Sequence, residues 1–132
     1  MAYRYLTRVY LRDTDATGVL FFAEQLRICL EAFESFLEEK GFVLKSLIEN
    51  GQYLMPIVHT EADYFAPLFA GDALEVALSL GAVGNASFTL NYFLYKGGQK
   101  VGSSTAIHVT VDKEMRTKIP LPKPLISLLK EL

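Results

Sequence analysis

The chain has 132 residues, a length that suits one domain able to bury a core without a disulfide or a metal. Its net charge of −2 offers no basic field, so nucleic-acid binding is excluded. No apolar run is long enough for a membrane span, and a single cysteine excludes an internal disulfide, so we expect a soluble, cytoplasmic protein with no membrane partner.

The first half of the chain is predicted to form one strand and one long helix. Residues 3–12 alternate as in a strand, and residues 13–18 interrupt them with turn-forming side chains. At 22–40 apolar residues recur every three or four positions, which predicts a helix that Gly41 ends, and 44–50 can add a turn or two. The predicted apolar stripe of the long helix is Phe22, Leu26, Cys29, Leu30, Phe33 and Leu37, with Gln25 off the stripe.

The second half is predicted to form four strands, joined mainly by short turns, and a short closing helix. The predicted strands span 54–65, 73–83, 86–95 and 100–112, and the helix spans 125–132 after an irregular connection. Gly97-Gly98 is typical of a two-residue hairpin turn. One long helix and consecutive strands predict an α+β fold with a mostly antiparallel sheet. The predicted faces are Leu74, Val76, Leu78 and Leu80; Phe88, Leu90, Tyr92 and Leu94; and Val101, Ile107, Val109 and Val111.

Two carboxylates, Asp13 and Asp15, lie in the loop that leads into the long helix. The first backbone N–H groups of a helix are unpaired and carry partial positive charge, so they can hold a thioester carbonyl and the oxyanion it becomes. A nearby carboxylate can attack that carbonyl or activate water. The local pattern alone favours the simpler interpretation, in which the two aspartates only cap turns or the helix.

The segment that starts at Tyr10 and reads YLRDTDATGVLFF, continuing to LEAFE at 30–34, resembles the signature of the 4-hydroxybenzoyl-CoA thioesterase family. A second block, from PIVH at 56–59 through YFAP at 64–67 to Gly71-Asp72, also resembles that family. The run EAFES at 31–35 and His59 are most similar to the 1,4-dihydroxy-2-naphthoyl-CoA hydrolases of quinone biosynthesis. The resemblance covers nearly the whole chain.

This resemblance implies a hotdog fold over residues 1–132, in which the sheet wraps one long central helix. It implies homodimers whose sheets join edge to edge, usually paired into tetramers, with the active site at the dimer interface. The implied substrate is an acyl-CoA with an aromatic acyl group, and neither a metal nor a cofactor is implied.

The resemblance also implies individual roles. Asp15 matches the family's catalytic carboxylate, a nucleophile or general base, and the backbone N–H of Phe22 matches the oxyanion donor. Gly18 matches the glycine that lets the substrate approach the backbone, and Asp13 is assigned to loop structure. Glu31 matches an acid that faces the ring hydroxyl of the substrate across the subunit interface, although a solvated helix residue is an open alternative.

The two histidines have weaker assignments. His59 is a candidate for orienting the substrate, with a structural histidine as the alternative, and His108 is expected to be structural. Cys29 is expected to be a small buried residue rather than a catalytic thiol.

One departure from the family concerns the CoA phosphates. The turn at 81–87, which is rich in arginine in the hydroxybenzoyl relative, contains no basic residue here, so phosphate contacts are expected from Lys113, Arg116 and Lys118 or from the partner subunit. An acyl carrier protein therefore stays open as the thiol carrier, as does a short aliphatic acyl group. Two other classes are a hotdog dehydratase, disfavoured because no His lies near Asp15 in sequence, and a non-catalytic acyl-thioester binding module.

Overall fold

The computed structural model describes residues 3–132, so the first two residues of the predicted domain lie outside it. The chain forms seven strands and three α-helices in the described part, with a short 3₁₀ turn at Leu11–Asp13. The strands are β1 Tyr3–Arg8, β2 Tyr53–Leu54, β3 Ile57–Tyr64, β4 Ala73–Val83, β5 Ser87–Lys96, β6 Gln99–Val109 and β7 Val111–Asp112. The helices are α1 Phe22–Glu39, α2 Leu44–Asn50 and α3 Lys123–Leu129.

Five strands form one antiparallel sheet in the order β1-β4-β5-β6-β3, and β2 pairs with β7 in a separate small sheet. The predicted α+β class and antiparallel sheet are confirmed. The prediction that all strands after the helix follow one another through hairpins was wrong for β3. This strand pairs with β6 rather than with β4 and forms one edge of the sheet. The break at Pro56, which has no N–H to donate to a ladder, separates β2 from β3 within the predicted strand 54–65.

Helix α1 packs across the sheet and contacts β1, β3, β4 and β6. Its predicted bounds are confirmed to within one residue, and Gly41 has a φ of 77°, a left-handed conformation that favours glycine after a helix end. The predicted stripe is only half right. Phe22 is 63% exposed, whereas Gln25, which the pattern placed off the stripe, is 1% exposed. The buried residues of α1 are Gln25, Ile28, Cys29, Ala32, Phe33, Phe36 and Leu37.

The core between α1 and the sheet is built from the predicted faces of β4 and β5. Leu74, Val76 and Leu78 are buried on β4, and Leu80 packs against the same core. On β5 all four predicted residues, Phe88, Leu90, Tyr92 and Leu94, are buried. The hairpin that follows turns at Gly97 and Gly98, whose φ angles of 55° and 81° are those that the predicted two-residue turn requires.

The predicted face of β6 was wrong in its centre. The residues of β6 that pair with the buried residues of β5 are Ser104, Ala106 and His108, and Ile107 lies on the opposite face. The reason is steric, because α1 approaches this strand closely. A Cβ added to Gly102 would lie 2.8 Å from Gln25 Oε1. Small and polar residues therefore occupy the inner face where the hydrophobic pattern favoured Ile107.

Candidate active site

The segment from Asp13 to Phe21 forms a tight paired loop that ends one residue before α1 begins. Phe21 N donates to Asp13 O (2.9 Å), and Asp15 N donates to Val19 O (2.9 Å). Gly18 N donates to Asp15 O (3.1 Å), which closes a four-residue turn, and Gly18 has a φ of 80° that few other residues adopt. The loop that contains Asp15 therefore leads directly into α1, as the sequence predicted.

The Asp15 carboxylate is exposed on the single chain and is organised by Thr17. Its Oδ1 accepts hydrogen bonds from Thr17 N (2.8 Å) and Thr17 Oγ1 (2.5 Å). The side-chain hydrogen bond from Thr17, and then the backbone one, hold the pKa of Asp15 below its usual value. Oδ2 accepts no hydrogen bond from residues 3–132, so an ionised oxygen is available to a substrate or to water.

Asp13 has a different environment, although it is only two residues away. It is 2% exposed, and its Oδ2 accepts a hydrogen bond from Tyr10 N (2.9 Å). Its Oδ1 forms an ion pair of 2.5 Å with Arg27 on α1. Asp13 is therefore a structural residue of the loop, because both of its oxygens are occupied and it is sealed from solvent.

Phe22 is the first residue of α1, so its N–H is one of the four that a helix leaves without an intrahelical acceptor. Its carbonyl oxygen also accepts a hydrogen bond from the Tyr64 hydroxyl (2.6 Å), which ties the first turn of the helix to the end of β3. A groove of about 340 Å³ opens beside this turn, lined by Val19, Leu20 and Phe22 on one side and by 64–68 on the other. Asp15 pairs with Val19, which is three residues before Phe22. Three residues of extended chain place Asp15 roughly 7–10 Å from the first residue of α1.

Gln25 is a residue of this region that the sequence analysis missed. Its Nε2 lies within 3.1–3.2 Å of Asp63 O, Ser103 O and Ser104 Oγ, so it joins α1 to both β3 and β6. Gln25 also lines the groove beside Phe22. One signal was present in the sequence: a glutamine on the helix opposite a Gly-Ser-Ser run at 102–104 in the last long strand.

Glu31 lies on α1 about two turns beyond Phe22, and it is half-buried. Its Oε1 pairs with Arg27, which also binds Glu24 and Asp13. Its Oε2 accepts only a long hydrogen bond of 3.5 Å from the Tyr5 hydroxyl, so that oxygen keeps capacity for a better donor. A separate apolar cavity of about 230 Å³ is lined by Leu26, Arg27 and Leu30 of α1 and by residues of β3 and β6, and Glu31 is not among its lining residues.

The other predicted residues lie apart from the Asp15 loop. His59 is exposed on the edge strand β3, where it is paired with Ile107 in the ladder, and its side chain forms no hydrogen bond with the described residues. The turn that follows β7 carries three basic residues, Lys113, Arg116 and Lys118. Within residues 3–132, no hydrogen bond or ion pair joins these side chains to the loop that contains Asp15. Their role in phosphate binding stays a prediction.

Cys29 and His108 are both buried. The expected burial of Cys29 is confirmed, and burial raises the pKa of its thiol to about 12. His108 donates from Nδ1 to Met55 O (3.0 Å), as expected of a structural histidine. Among residues 3–132, no three His, Cys, Asp or Glu side chains are placed to hold a metal ion, and no helix is long and apolar enough to cross a membrane.

Comparison with known proteins gives a consistent picture. The profile of the thioesterase-like superfamily matches residues 9–129. A 1,4-dihydroxy-2-naphthoyl-CoA hydrolase of Synechococcus elongatus is 37% identical over 124 residues, which are 93% of this chain and 91% of that protein. The protein of the same name from Rippkaea orientalis is 34% identical over 129 residues, which are 96% of this chain and 94% of that one.

Solved structures agree with these sequence relatives. The crystal structure of a 1,4-dihydroxy-2-naphthoyl-CoA thioesterase from Synechocystis superposes with a TM-score of 0.93 at 33% identity, covering 100% of this chain and 98% of that one. A gentisyl-coenzyme A thioesterase superposes with a TM-score of 0.86 at 28% identity, covering 96% and 98% of the two chains. The architecture of the chain is therefore the hotdog fold that the resemblance implied.

Proposed function

Because the chain belongs to the thioesterase-like superfamily, we propose that it hydrolyses the thioester bond of 1,4-dihydroxy-2-naphthoyl-CoA. The coarser activity follows from the family and its relatives: the chain is an acyl-CoA thioesterase. The observation that supports the mechanism is the ionised Asp15 carboxylate, held by Thr17 in a loop that leads directly into the first turn of α1.

Asp15 is proposed either to attack the thioester carbonyl itself or to activate a water molecule that does so. In the first route its free Oδ2 attacks the thioester carbonyl, CoA leaves as a thiolate that takes up a proton, and water then hydrolyses the acyl-aspartyl anhydride. In the second route Oδ2 removes a proton from a water molecule, which attacks the carbonyl directly. Both routes require the carboxylate in its ionised form, which the hydrogen bonds from Thr17 favour.

The backbone N–H of Phe22 is proposed to bind the carbonyl oxygen and stabilise the oxyanion. Its position at the helix N-terminus supports this role, because the N–H is unpaired within the helix and lies at the positive end of the helix dipole. Gly18 has no side chain, and no atom lies within 4 Å of the position that a Cβ would occupy. The backbone of the turn is therefore open on this side. The substrate is proposed to approach over this open backbone.

The acyl ring is proposed to lie along α1 beyond Phe22. The apolar cavity at Leu26 and Leu30 suits an aromatic group. Glu31, whose Oε2 is only weakly occupied, is proposed to accept a hydrogen bond from the ring hydroxyl of a substrate across the subunit interface. The naphthoyl group is favoured among hydroxyaryl substrates because the relatives are 1,4-dihydroxy-2-naphthoyl-CoA hydrolases and thioesterases. His59 keeps its proposed role in orienting the substrate from the edge strand.

A homodimer is proposed to complete the site, because Asp15 is exposed on the single chain. Strand β3 is an unpaired sheet edge, and its side chains are exposed on both faces, including Val58 at 58%. An exposed apolar edge strand is a template for pairing, and joining two β3 edges would continue the sheet between subunits. Pairing of dimers into tetramers and a cytoplasmic location stay predictions.

A thiol-release assay over a panel of thioesters tests the proposal. The panel contains 1,4-dihydroxy-2-naphthoyl-CoA, 4-hydroxybenzoyl-CoA, butanoyl-CoA and a butanoyl acyl carrier protein. We expect the highest kcat/KM for the naphthoyl thioester, and we expect Glu31→Ala to reduce turnover of the hydroxyaryl thioesters more than that of butanoyl-CoA.

Glu38→Ala is the matched control, because Glu38 is an exposed glutamate of the same helix. It should affect neither class of substrate. Equal losses for aryl and aliphatic substrates in Glu31→Ala would reject the role of Glu31, and release of thiol from none of the four would reject hydrolysis.

A further inference from the structure

Arg27 on α1 lies at the centre of a cluster of three carboxylates. Its guanidinium donates from Nε to Glu24, from Nη1 to Glu31 and from Nη2 to Asp13, so each of its three nitrogen atoms has a separate partner. Glu24 and Glu31 are on the same helix, whereas Asp13 belongs to the loop that contains Asp15. Arg27 therefore joins this loop to the side chain of Glu31.

The contact with Asp13 fixes the position of the guanidinium. Ion pairs between residues three or four positions apart on an exposed helix surface are weak, because both side chains move freely in water. The pair of Arg27 with Asp13 is different, because Asp13 is 2% exposed and the pair measures 2.5 Å. A buried charge that loses its partner is strongly unfavourable, so Asp13 keeps the guanidinium in place. Glu31, whose side chain is 36% exposed, then pairs with a cation that is already ordered.

Arg27 also decides which oxygen of Glu31 is available. It binds Oε1, and Oε2 is left with one hydrogen bond of 3.5 Å from the Tyr5 hydroxyl. Among residues 3–132, no other basic side chain pairs with Glu31. Without Arg27, the carboxylate would keep only the long contact with Tyr5 and would turn freely in solvent.

We propose that Arg27 is a positioning residue that makes the site select hydroxyaryl acyl groups, because it presents Oε2 of Glu31 to the ring hydroxyl of the substrate. This inference rests on the proposed function, in which Glu31 accepts that hydrogen bond across the subunit interface. An acceptor that is already fixed loses less conformational freedom when the substrate binds, so the hydroxyl contributes more to kcat/KM. Arg27 acts only through Glu31, since a guanidinium cannot accept a hydrogen bond from a hydroxyl.

Lysine cannot replace arginine in this arrangement. The guanidinium is planar and its donors point in fixed directions, whereas the ammonium group of lysine is a single point charge on a flexible chain. Arg27→Lys keeps a positive charge for the buried Asp13, but the ammonium group cannot bind Asp13 and Glu31 from two separate nitrogen atoms. The variant should therefore fold and lose the alignment of Glu31.

Two substrates that differ only in their ring hydroxyls test the proposal, 1,4-dihydroxy-2-naphthoyl-CoA and 2-naphthoyl-CoA. The ratio of their kcat/KM values, measured by thiol release, reports on the hydroxyls, because general damage to the loop or to folding affects both substrates alike. We expect Arg27→Lys and Glu31→Ala each to lower this ratio by about tenfold, near the lower end of the contribution of one hydrogen bond to a charged group. The two substitutions combined should lower it no further than Glu31→Ala alone.

Arg4→Lys is the matched control, because Arg4 forms one ion pair of 2.6 Å with Glu75, which joins β1 to β4. This variant should leave the ratio unchanged. If Arg27→Lys does not fold, Asp13→Asn combined with Arg27→Gln removes the buried charge together with its partner. The ratio of that double variant should be about tenfold below the ratio of Asp13→Asn alone.

The outcomes separate this proposal from the proposed function. A lowered ratio in Glu31→Ala with an unchanged ratio in the Arg27 variants overturns the role of Arg27 and leaves the proposed function intact. A ratio that falls further in the combined variant than in Glu31→Ala also overturns it, because Arg27 would then act by another route. An unchanged ratio in Glu31→Ala overturns the roles of both residues, and a parent chain that releases thiol from neither substrate overturns hydrolysis itself.

Discussion

Replacing Asp15 by asparagine separates catalysis from folding at the candidate active site. Both hydrogen bonds from Thr17 go to a single oxygen, Oδ1, which asparagine retains as its amide oxygen. The side chain is exposed, so we expect a change in the free energy of unfolding within the ~0.5 kcal/mol typical of surface substitutions. The variant should fold like the parent chain.

Catalysis should respond very differently. The amide can neither attack the carbonyl nor accept a proton from water, so the variant loses the contribution of a nucleophile or base, a factor of about 10²–10⁴ in kcat. KM should change little, because the Phe22 N–H and the apolar wall of α1 are untouched. Residual activity over the uncatalysed reaction would come from the oxyanion site and from substrate binding.

The assay is release of CoA thiol from 1,4-dihydroxy-2-naphthoyl-CoA, combined with denaturant unfolding of the same samples. Asp13→Asn is the matched control, since Asp13 is the neighbouring carboxylate but is buried and paired with Arg27. That variant should lose about 1–3 kcal/mol of stability and retain activity under conditions in which it stays folded. Full activity in Asp15→Asn, or equal loss of kcat in both variants, would refute the assignment of Asp15.

Three further predictions use the same assays. Thr17→Val removes the side-chain hydrogen bond that is the largest cause of the lowered pKa of Asp15, so that pKa should rise. Because activity is lost as pH falls through the pKa of Asp15, the acid limb of the kcat/KM profile should move to higher pH. An unmoved limb would contradict the role of Thr17. Gln25→Leu deprives the Ser103 carbonyl of a donor and should cost about 1–3 kcal/mol in denaturant unfolding, whereas a loss below ~0.5 kcal/mol would show that the hydrogen bonds of Gln25 contribute little. Val58→Lys adds a charge to the β3 edge and should yield monomers of low activity by light scattering, whereas an unchanged mass would place the interface elsewhere.

Local sequence patterns predicted much of the secondary structure, because helices, helix ends and hairpin turns depend on interactions between residues that are close in sequence. The 3.6-residue period predicted α1, Gly41 marked its end, and the glycine pair at 97–98 marked the hairpin between β5 and β6. Strict alternation predicted the buried faces of β4 and β5. In each case the deciding interaction lies within a few residues along the chain.

The candidate site was predictable only in part. The motif resemblance identified the loop, and in the structure the loop that contains Asp15 leads directly into α1. The pairing of Asp13 with Arg27 and the contact of Tyr64 with Phe22 O were not predictable, because they join residues 14 and 42 positions apart. Completion of the site by a partner subunit is likewise a question of association that no local pattern addresses.

By itself, the sequence determined the long helix, the buried faces of β4 and β5, the hairpin turn at 97–98 and the loop with two carboxylates that leads into α1. The place of β3 beside β6 in the sheet was decided only by the tertiary structure. The tertiary structure alone decided which side of α1 is buried, why Gln25 rather than Phe22 faces inward, and why Ser104 and His108 displace Ile107 from the inner face of β6. The physical reason is that hydrophobic periodicity measures the preference of each residue for burial, whereas close packing of helix and sheet decides which side chains fit. Where α1 lies almost against β6, size and hydrogen bonding outweigh hydrophobicity.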